Sequence, residues 1–345
     1  MRFRPGGLVV GPGRATRRGY QRAAGPPQST GGDRSRATGS VRAYRPVIML
    51  PRRRYLLADP VGVGGMGTVW RAWDRHERRW VAAKLRRPSG PDDAASVERF
   101  VRERALRVRH RHVVQPAGRA ARDDLFTMDL VRGGDVEQLL ERHGPLPDSY
   151  VRVVLDQVLQ ALVAVHAAGL VHRDVKPGNL LLEPTGTGRP WVRLGDFGIA
   201  VRCDDPWLTR APGGVGTGGY MPPEQVAGAP PDPRQDVYAA GVVATQLLTG
   251  GPPGGPAPDT PLGRLLASFT DPEPERRPAT AAAALVRLRA LGVPAGAPWQ
   301  AGPDPPDVRA LHADPPARTP YAWAVLGVFA VAGLLGGLGS WVLLR

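Results

Sequence analysis

The apolar residues of this 345-residue chain change their spacing near residue 135, and this change limits the architectures that the chain can adopt. From Tyr55 onward short strand-like runs dominate, including Trp80–Leu85 and Leu125–Met128, with a helical stretch at about 94–109 between them. After residue 135, stretches with helical periodicity cover 148–168, 234–250 and 278–290. A strand-rich part followed by a helical part predicts an α+β protein with two lobes over residues 55–291.

The first 50 residues differ from the rest of the chain. Residues 1–50 are rich in Gly, Pro, Arg and Ser without apolar periodicity, which predicts a disordered basic tail. Residues 1–54 carry 13 arginines and one acid, whereas residues 55–345 carry 33 bases and 30 acids. The main domain is therefore nearly neutral, which argues against a nucleic-acid groove there. The tail has three interpretations: a binder of acidic partners or membrane, an inert extension, or a wrongly assigned start with Met49 as the initiator.

The carboxyl-terminal part contains linkers and an uncharged segment. Pro/Gly-rich stretches at 251–261 and 292–320 are predicted linkers. Residues 321–344 contain no charge, and a helix of that length extends about 36 Å, enough to cross a bilayer core of about 30 Å. Trp323 and Trp341 lie near its ends, where interfacial anchors are found. We expect a single transmembrane helix at 321–344, rather than a buried core helix, with the main domain at the cell membrane on the cytoplasmic side.

Residue types that the chain avoids are informative where they occur. The chain has 44 arginines but only two lysines, Lys84 and Lys176, and its single asparagine is Asn179. Its single cysteine, Cys203, excludes an intrachain disulfide framework and a cysteine-based metal cluster. Lys84, Lys176 and Asn179 are therefore candidates for a functional site.

A glycine motif opens the main domain. It reads Gly62-Val-Gly64-Gly-Met-Gly67-Thr-Val69 and is followed by Trp70–Trp73, which is predicted to be a second strand. A dinucleotide site would need a helix at this point. A strand–loop–strand hairpin instead suits either an ordinary turn or a cover over nucleotide phosphates, because glycine lets the backbone approach closely.

Lys84 lies on the next predicted strand and needs an acidic partner to hold its ammonium group in place. Glu103 lies three residues from both Phe100 and Leu106 and so shares their inward face on the predicted helix. Glu98 is the weaker alternative, and Glu103 could also be a solvated charge. An ammonium held in this way can neutralise two adjacent phosphates.

The densest motif is His172-Arg-Asp-Val-Lys-Pro-Gly-Asn179, and Leu194-Gly-Asp-Phe-Gly198 follows it. With the glycine loop, the Lys84 strand and Pro222-Pro-Glu224, these motifs make residues 55–291 resemble the protein kinase superfamily. The resemblance is greatest to the eukaryotic-like serine/threonine kinases of bacteria, including the membrane-anchored type. It implies a two-lobed fold that transfers the γ-phosphoryl group of ATP to Ser/Thr hydroxyls of protein substrates.

The resemblance also implies roles for individual residues. Asp174 would accept the proton of the attacking hydroxyl, and Lys176 would lie near the transferred phosphate. Asn179 and Asp196 would hold Mg²⁺ or Mn²⁺ through oxygen ligands, while Lys84 contacts the ATP phosphates and pairs with Glu103. The implied nucleotide-binding residues come from the glycine loop, the adjacent strands and the hinge: Gly62, Val63, Gly64, Gly65, Met66, Gly67, Val69, Ala82, Lys84, Met128, Asp129 and Val131.

Regulation would act on the segment at about 196–224, which contains two Ser/Thr hydroxyls, Thr209 and Thr217. Thr217 matches the threonine that shapes the substrate pocket beside the base. Thr209 is then the candidate for autophosphorylation, and a phosphate there could order the segment against Arg173. The alternative is that Thr209 is merely exposed, and Cys203 is interpreted as incidental.

Other matches are structural. Glu224 should pair with Arg277, while His172, Asp236 and Gly241 are expected to support the helical lobe. The segment between Gly250 and Asp271 is shorter than usual for the family, which predicts that a peripheral substrate-docking helix is lost or reduced.

Three alternatives to an active, membrane-anchored kinase remain at this point. A pseudokinase scaffold would bind ATP or partners without transfer, but its usual signature, the loss of the lysine, the base or a metal ligand, is absent. A small-molecule phosphotransferase is disfavoured by the Thr217 segment and the Glu224–Arg277 match. A nucleic-acid or lipid binder would rest only on residues 1–54. The sequence leaves the oligomeric state open, with a homodimer among the alternatives.

Overall fold

The computed structural model describes residues 54–64, 67–86, 94–105, 107–122, 124–202 and 216–296. Several predictions fall outside these residues: those for the 1–50 tail, for Gly65 and Met66, for Cys203 and Thr209, for the linker beyond residue 296, and for the 321–344 helix.

The amino-terminal lobe is a five-stranded antiparallel sheet with one helix packed on it. The strand order is β1-β2-β3-β5-β4. Its elements are β1 (Tyr55–Gly64), β2 (Gly67–Asp74), β3 (Arg79–Arg86), α1 (Ala94–Ala105), β4 (Pro116–Arg122) and β5 (Leu125–Asp129). Small and β-branched residues such as Ala72, Val81 and Ala83 fill its core. The Phe100 ring lies 5.1 Å from the Phe126 ring, which docks α1 on the sheet.

The second lobe is helical, as the residue spacing predicts. Its helices are α2 (Val136–His143), α3 (Asp148–Ala167), α4 (Pro223–Val226), α5 (Pro233–Thr249), α6 (Pro261–Phe269) and α7 (Ala281–Ala290). Helix α3 is long and apolar enough to cross a membrane, but 67% of its most apolar stretch is buried inside the protein. It packs against α5, α7 and the strand Val192–Leu194, and it forms the centre of the lobe.

Short strands place the motif residues between the lobes. They are β6 (Leu170–Val171), β7 (Leu180–Leu182), β8 (Val192–Leu194) and β9 (Val201–Arg202), paired as β6–β9 and β7–β8. The Val114 amide donates to the Leu194 carbonyl at 2.8 Å, and the Gly133 amide donates to the Leu182 carbonyl at 2.7 Å. These bonds fix the short strands of the helical lobe to the segment just before β4 and to the segment just after β5.

The structure corrects three predictions of local structure. Helix α1 ends at Ala105, four residues before the predicted end. Helices α2 and α6 were not predicted, and α6 begins at Pro261, the last residue of the 251–261 stretch interpreted as a linker. Thr260 caps α6 by accepting from the Gly263 amide, and α6 buries Leu266 and Phe269 against the lobe. Burial of these side chains stabilises a nine-residue helix next to a Pro/Gly-rich stretch.

Candidate active site in the cleft between the lobes

The glycine motif covers the end of β1 and the start of β2, where Gly64 pairs with Gly67. A Cβ atom added to Gly67 would lie 2.2 Å from the Leu85 carbonyl oxygen, so only glycine fits at this position. A Cβ on Gly62 would meet nothing within 4 Å, which leaves open space beside the exposed end of β1. The motif is therefore a strand–turn–strand hairpin, and it does not open a helix as a dinucleotide-binding motif does.

The residues implied to surround the adenine lie on neighbouring strands. Ala82 of β3 is opposite Met128 of β5, and Val69 of β2 is opposite Lys84. Asp129 ends β5 with its side chain turned to solvent, and Val131 is buried just beyond it. The sheet register thus places Val69, Ala82 and Met128 on the same face of the sheet as Lys84, next to the connection that leads to the second lobe.

Lys84 joins both lobes through two carboxylates. Its Nζ donates to Glu103 Oε1 at 2.7 Å and Oε2 at 2.8 Å, and to Asp196 Oδ1 at 2.8 Å. Lys84 is 5% exposed and Glu103 is 4% exposed. Glu98, the alternative partner, is exposed and pairs with Arg102 on its own helix. The structure therefore pairs Lys84 with Glu103.

In this cluster, burial and the neighbours of opposite charge shift the pKa of each group in opposite directions. Burial raises the pKa of Glu103 to about 7, although the Lys84 ammonium opposes the shift. Burial disfavours the charge on Lys84, but Glu103 and Asp196 outweigh it and raise the pKa of Lys84. Burial likewise opposes ionisation of Asp196, and Lys84 outweighs it and lowers the pKa of Asp196. Lys84 is therefore a fixed cation, and Asp196 a fixed anion.

Asp174 is held by three side chains of the helical lobe. Its Oδ1 accepts from Thr217 Oγ1 at 2.8 Å, and its Oδ2 accepts from Asn179 Nδ2 at 2.9 Å and lies 2.9 Å from Lys176 Nζ. Lys176 Nζ also donates to Thr217 Oγ1 at 2.7 Å. The rare residues Lys176 and Asn179 thus converge on one carboxylate that is 12% exposed.

The donor set beside this carboxylate suits a hard divalent cation. The amide nitrogen of Asn179 bonds Asp174, which turns its carbonyl oxygen to the other side. Asp196 uses Oδ1 for Lys84, and its side chain is 39% exposed, so a carboxylate oxygen faces the cleft. Amide and carboxylate oxygens are the ligands that Mg²⁺ and Mn²⁺ prefer, and the residues therefore fit such an ion.

Comparison with known proteins identifies the fold and its motifs. Residues 55–261 match the family described as "Protein kinase domain". The chain belongs to the protein kinase family. It is 39% identical over 244 residues to the serine/threonine-protein kinase PkaA of Streptomyces coelicolor, covering 66% of this chain and 44% of PkaA.

This chain is also similar to two further serine/threonine-protein kinases. The chain is 40% identical over 206 residues to the serine/threonine-protein kinase pkn3 of Myxococcus xanthus, covering 57% of this chain and 38% of pkn3. It is 39% identical over 204 residues to the serine/threonine-protein kinase PknL of Mycobacterium tuberculosis, covering 58% of this chain and 50% of PknL. The chain thus spans half or less of the length of these three relatives.

A buried carboxylate supports the loop that carries His172–Asn179 in this kinase domain. Asp236, at the start of α5, accepts from the backbone amides of His172 and Arg173, each at 2.8 Å. Its Oδ2 also lies 2.8 Å from His166 Nε2 at the end of α3. These bonds hold Arg173 at a positive φ of 66°, which turns the chain so that Asp174 faces the cleft. His172 itself lies 3.1 Å from the Gly195 carbonyl and is structural.

The Arg173 side chain is buried, with 8% of the residue exposed, and its Nε has no hydrogen-bond partner among the residues that the structure describes. Burial lowers the pKa of Arg173, because Asp236 only partly offsets the loss of hydration. A buried cation with an unused donor is suited to an anion that the described residues do not supply.

Glu224 and Arg277 pair across the lower part of the helical lobe. Arg277 donates to the two Glu224 oxygens at 2.7 and 2.9 Å, and also to the carbonyls of Asp271 and Pro272. The guanidinium lies 4.8 Å from the Tyr238 ring centroid. The pair that the resemblance implies is therefore present, and it fixes Glu224, at the end of the 196–224 segment, to the lobe.

Sequence reasoning missed two residues of this scaffold. His166 contacts Asp236 across 70 residues, and Gln225 donates to the Arg173 carbonyl across 52 residues. Neither residue type is rare in this chain, and no local spacing marks them, so only the folded contacts reveal them.

Proposed function

We propose that this chain is an active serine/threonine protein kinase that transfers the γ-phosphoryl group of ATP, with Mg²⁺ or Mn²⁺, to protein substrates. The observation that carries the proposal is the convergence of two assemblies. Lys84 bonds Glu103 and Asp196 at 2.7–2.8 Å, while Asp174 is held by its own neighbours in the adjacent loop. Phosphoryl transfer depends mainly on such positioning and charge neutralisation.

Each residue then has a defined task. Lys84, fixed by Glu103, binds the α- and β-phosphates, and the Gly62–Gly67 turn covers them with backbone amides. Asn179 and Asp196 would hold the divalent ion, which supplies charge neutralisation at the phosphates. Asp174 orients the substrate hydroxyl and accepts its proton, while the ammonium of Lys176 counters negative charge on the transferred group.

Serine and threonine as acceptors are supported by two features. The relatives PkaA, pkn3 and PknL are each named as serine/threonine kinases. Thr217 lies between Asp174 and Lys176, where it can shape the acceptor site beside the base. A scaffold without transfer is not favoured, because Lys84, Asp174, Asn179 and Asp196 are all present.

Activation is proposed to involve phosphorylation of Thr209. The supporting observation is Arg173, a buried cation whose Nε lacks a partner among the described residues. A phosphothreonine adds about two negative charges and three acceptor oxygens, which suit such a guanidinium.

We also propose that residues 321–344 anchor the kinase domain at the cell membrane with the domain on the cytoplasmic side. The support is the absence of charge over 24 residues and the tryptophans near each end. Flotation of cell membranes with and without residues 321–345 tests this proposal. Release of the truncated chain supports it, and an unchanged distribution contradicts it.

A transfer assay tests the kinase activity. The full chain is incubated with Mg²⁺, ATP and a generic basic protein, and phosphorylated sites are located by mass spectrometry. Asp174→Asn should abolish transfer while ATP binding changes little, because Asp174 is assigned to the hydroxyl and not to the nucleotide. The matched control Asp259→Asn changes a 91%-exposed carboxylate and should retain full activity. Transfer by the Asp174→Asn variant would contradict the assignment of the base.

A further inference from the structure

The chain that follows α1 presents three arginines to solvent. Arg107, Arg109 and Arg111 are exposed, whereas Val108, between the first two, and His112, just after the third, are buried. Val108 belongs to the core of the helical lobe, and His112 Nδ1 donates to the Val192 carbonyl at 2.7 Å. Because the two buried residues anchor the segment to the lobe, the three arginines between and beside them are held on the outside. The main domain is nearly neutral overall, but these three arginines concentrate positive charge on one part of its surface.

An aromatic side chain adjoins these arginines. Trp191 is 38% exposed, and its ring lies 5.0 Å from the His112 ring. The Arg111 guanidinium lies 5.8 Å from the centroid of the Trp191 ring. We call the surface of Arg107, Arg109, Arg111 and Trp191 the arginine face. An exposed tryptophan among arginines combines apolar area with positive charge, which suits the boundary between lipid headgroups and water.

The chain leaves the kinase domain beside the same surface. Arg189, two residues before Trp191, donates to the Pro294 carbonyl. Arg152 donates to the carbonyls of Leu291 at 2.6 Å and Gly292 at 3.1 Å. The last described residues are therefore tied to α3 and to the loop before β8, which carries Trp191. The 24 residues numbered 297–320 start from this point and lead to the uncharged segment.

We propose that the arginine face docks on anionic phospholipid headgroups of the membrane that holds residues 321–344. The proposal rests on the membrane attachment proposed above. A chain of 24 residues spans at most roughly 80 Å, so the tether keeps this face within that distance of the bilayer. A nucleic acid or an acidic protein would meet the same charges, but neither accounts for the tether that starts beside the arginine face and leads to the uncharged segment.

The test uses the full chain in nanodiscs of pure phosphatidylcholine or of phosphatidylcholine mixed with phosphatidylglycerol. Hydrogen–deuterium exchange is followed in peptides that cover residues 107–115 and 189–195. Slower exchange in the discs that contain phosphatidylglycerol, reversed by high salt, is expected, and peptides over α6 should not change. Equal exchange in the two lipids would overturn the proposal.

Matched variants test whether lipid binding depends on the arginine face or only on the total positive charge of the chain. A triple change of the face, Arg107→Gln with Arg109→Gln and Arg111→Gln, should lower the preference for phosphatidylglycerol vesicles over phosphatidylcholine vesicles by about 100-fold, since each arginine near an anionic surface contributes a factor of about five. The control triple, Arg142→Gln with Arg264→Gln and Arg287→Gln, changes three exposed arginines elsewhere and should bind as the wild type does. Equal losses in both triples, or tighter binding to a single-stranded RNA than to the vesicles, would overturn the proposal.

The experiments distinguish an incorrect membrane attachment through residues 321–344 from an incorrect docking role of the arginine face. If the chain does not enter phosphatidylcholine discs, the membrane attachment is wrong, and flotation with phosphatidylglycerol vesicles then tests the face directly. Flotation of the wild type and not of the face triple supports docking without an anchor. No flotation of either contradicts docking as well.

Discussion

Replacing Glu103 with glutamine tests whether the contact between the lobes positions the nucleotide. The change keeps the shape of the side chain and removes the charge that accepts two bonds from Lys84 at 2.7 and 2.8 Å. A hydrogen bond to a charged group contributes about 1.5–3 kcal/mol, and Lys84 keeps its bond to Asp196. The expected result is a fall of about 10- to 100-fold in kcat/KM for ATP.

The matched control lies on the same helix. Glu98→Gln makes the same chemical change at a side chain that is 61% exposed and pairs with Arg102 at 2.6 Å. An exposed pair of this kind contributes about 0.3–0.5 kcal/mol, so kcat/KM should change by less than about threefold. Steady-state phosphorylation of a basic protein at varied ATP concentration measures both variants. Equal losses in the two variants, or a loss confined to Glu98→Gln, would refute the assignment of Glu103.

The pH dependence gives a second, independent signature. Burial raises the pKa of Glu103 to about 7, so its carboxylate pairs with Lys84 as an anion mainly above that pH. Wild-type kcat/KM for ATP should therefore fall as the pH drops through about 7. The Glu103→Gln variant cannot titrate at this position and should lack that fall. An identical pH profile in the two proteins would show that Glu103 is not the group that titrates.

Three further predictions concern the scaffold, and urea unfolding measures each of them. Glu224→Gln should lower the free energy of unfolding by about 2 kcal/mol, because it leaves the buried Arg277 without its anion; an unchanged midpoint would contradict this. Gly241→Ala should lower the free energy of unfolding by about 1 kcal/mol, because the new Cβ would clash with Phe269 Cβ at 2.8 Å and this clash outweighs the gain in helix propensity. A more stable variant would show that the contact is loose. Burial lowers the pKa of His112 to about 4, whereas the same side chain has a pKa near 6.5 in the unfolded chain. Because the unfolded chain then binds a proton that the folded chain does not, the free energy of unfolding should fall as the pH drops from 6.5 toward 4. The fall should be smaller in His112→Gln, which cannot titrate at this position.

Three of the candidate site residues could be found from the sequence because their residue types are rare in this chain. A chain with two lysines and one asparagine leaves few alternatives for Lys84, Lys176 and Asn179. The resemblance then supplied their roles, and the structure places them around one cleft. The pairing of Lys84 with Glu103 followed from helical spacing, because Phe100 and Glu103 lie on the same face of α1.

The parts that sequence reasoning missed depend on contacts between distant segments. Helix α6 has nine residues next to a Pro/Gly-rich stretch, and burial of Leu266 and Phe269 against the lobe stabilises it. Its local propensity alone is too weak to predict it. His166 is likewise recognised only through Asp236, which is 70 residues away along the chain.

Magnesium-dependent nucleotide binding tests the central claim most directly. Calorimetric titration of the full chain with a non-hydrolysable ATP analogue should show one site whose affinity rises when Mg²⁺ is added. Lys84→Met should weaken that binding with or without the ion, and Asp196→Asn should remove mainly the increase that Mg²⁺ provides. Absence of nucleotide binding by the wild type at any Mg²⁺ concentration would contradict the account.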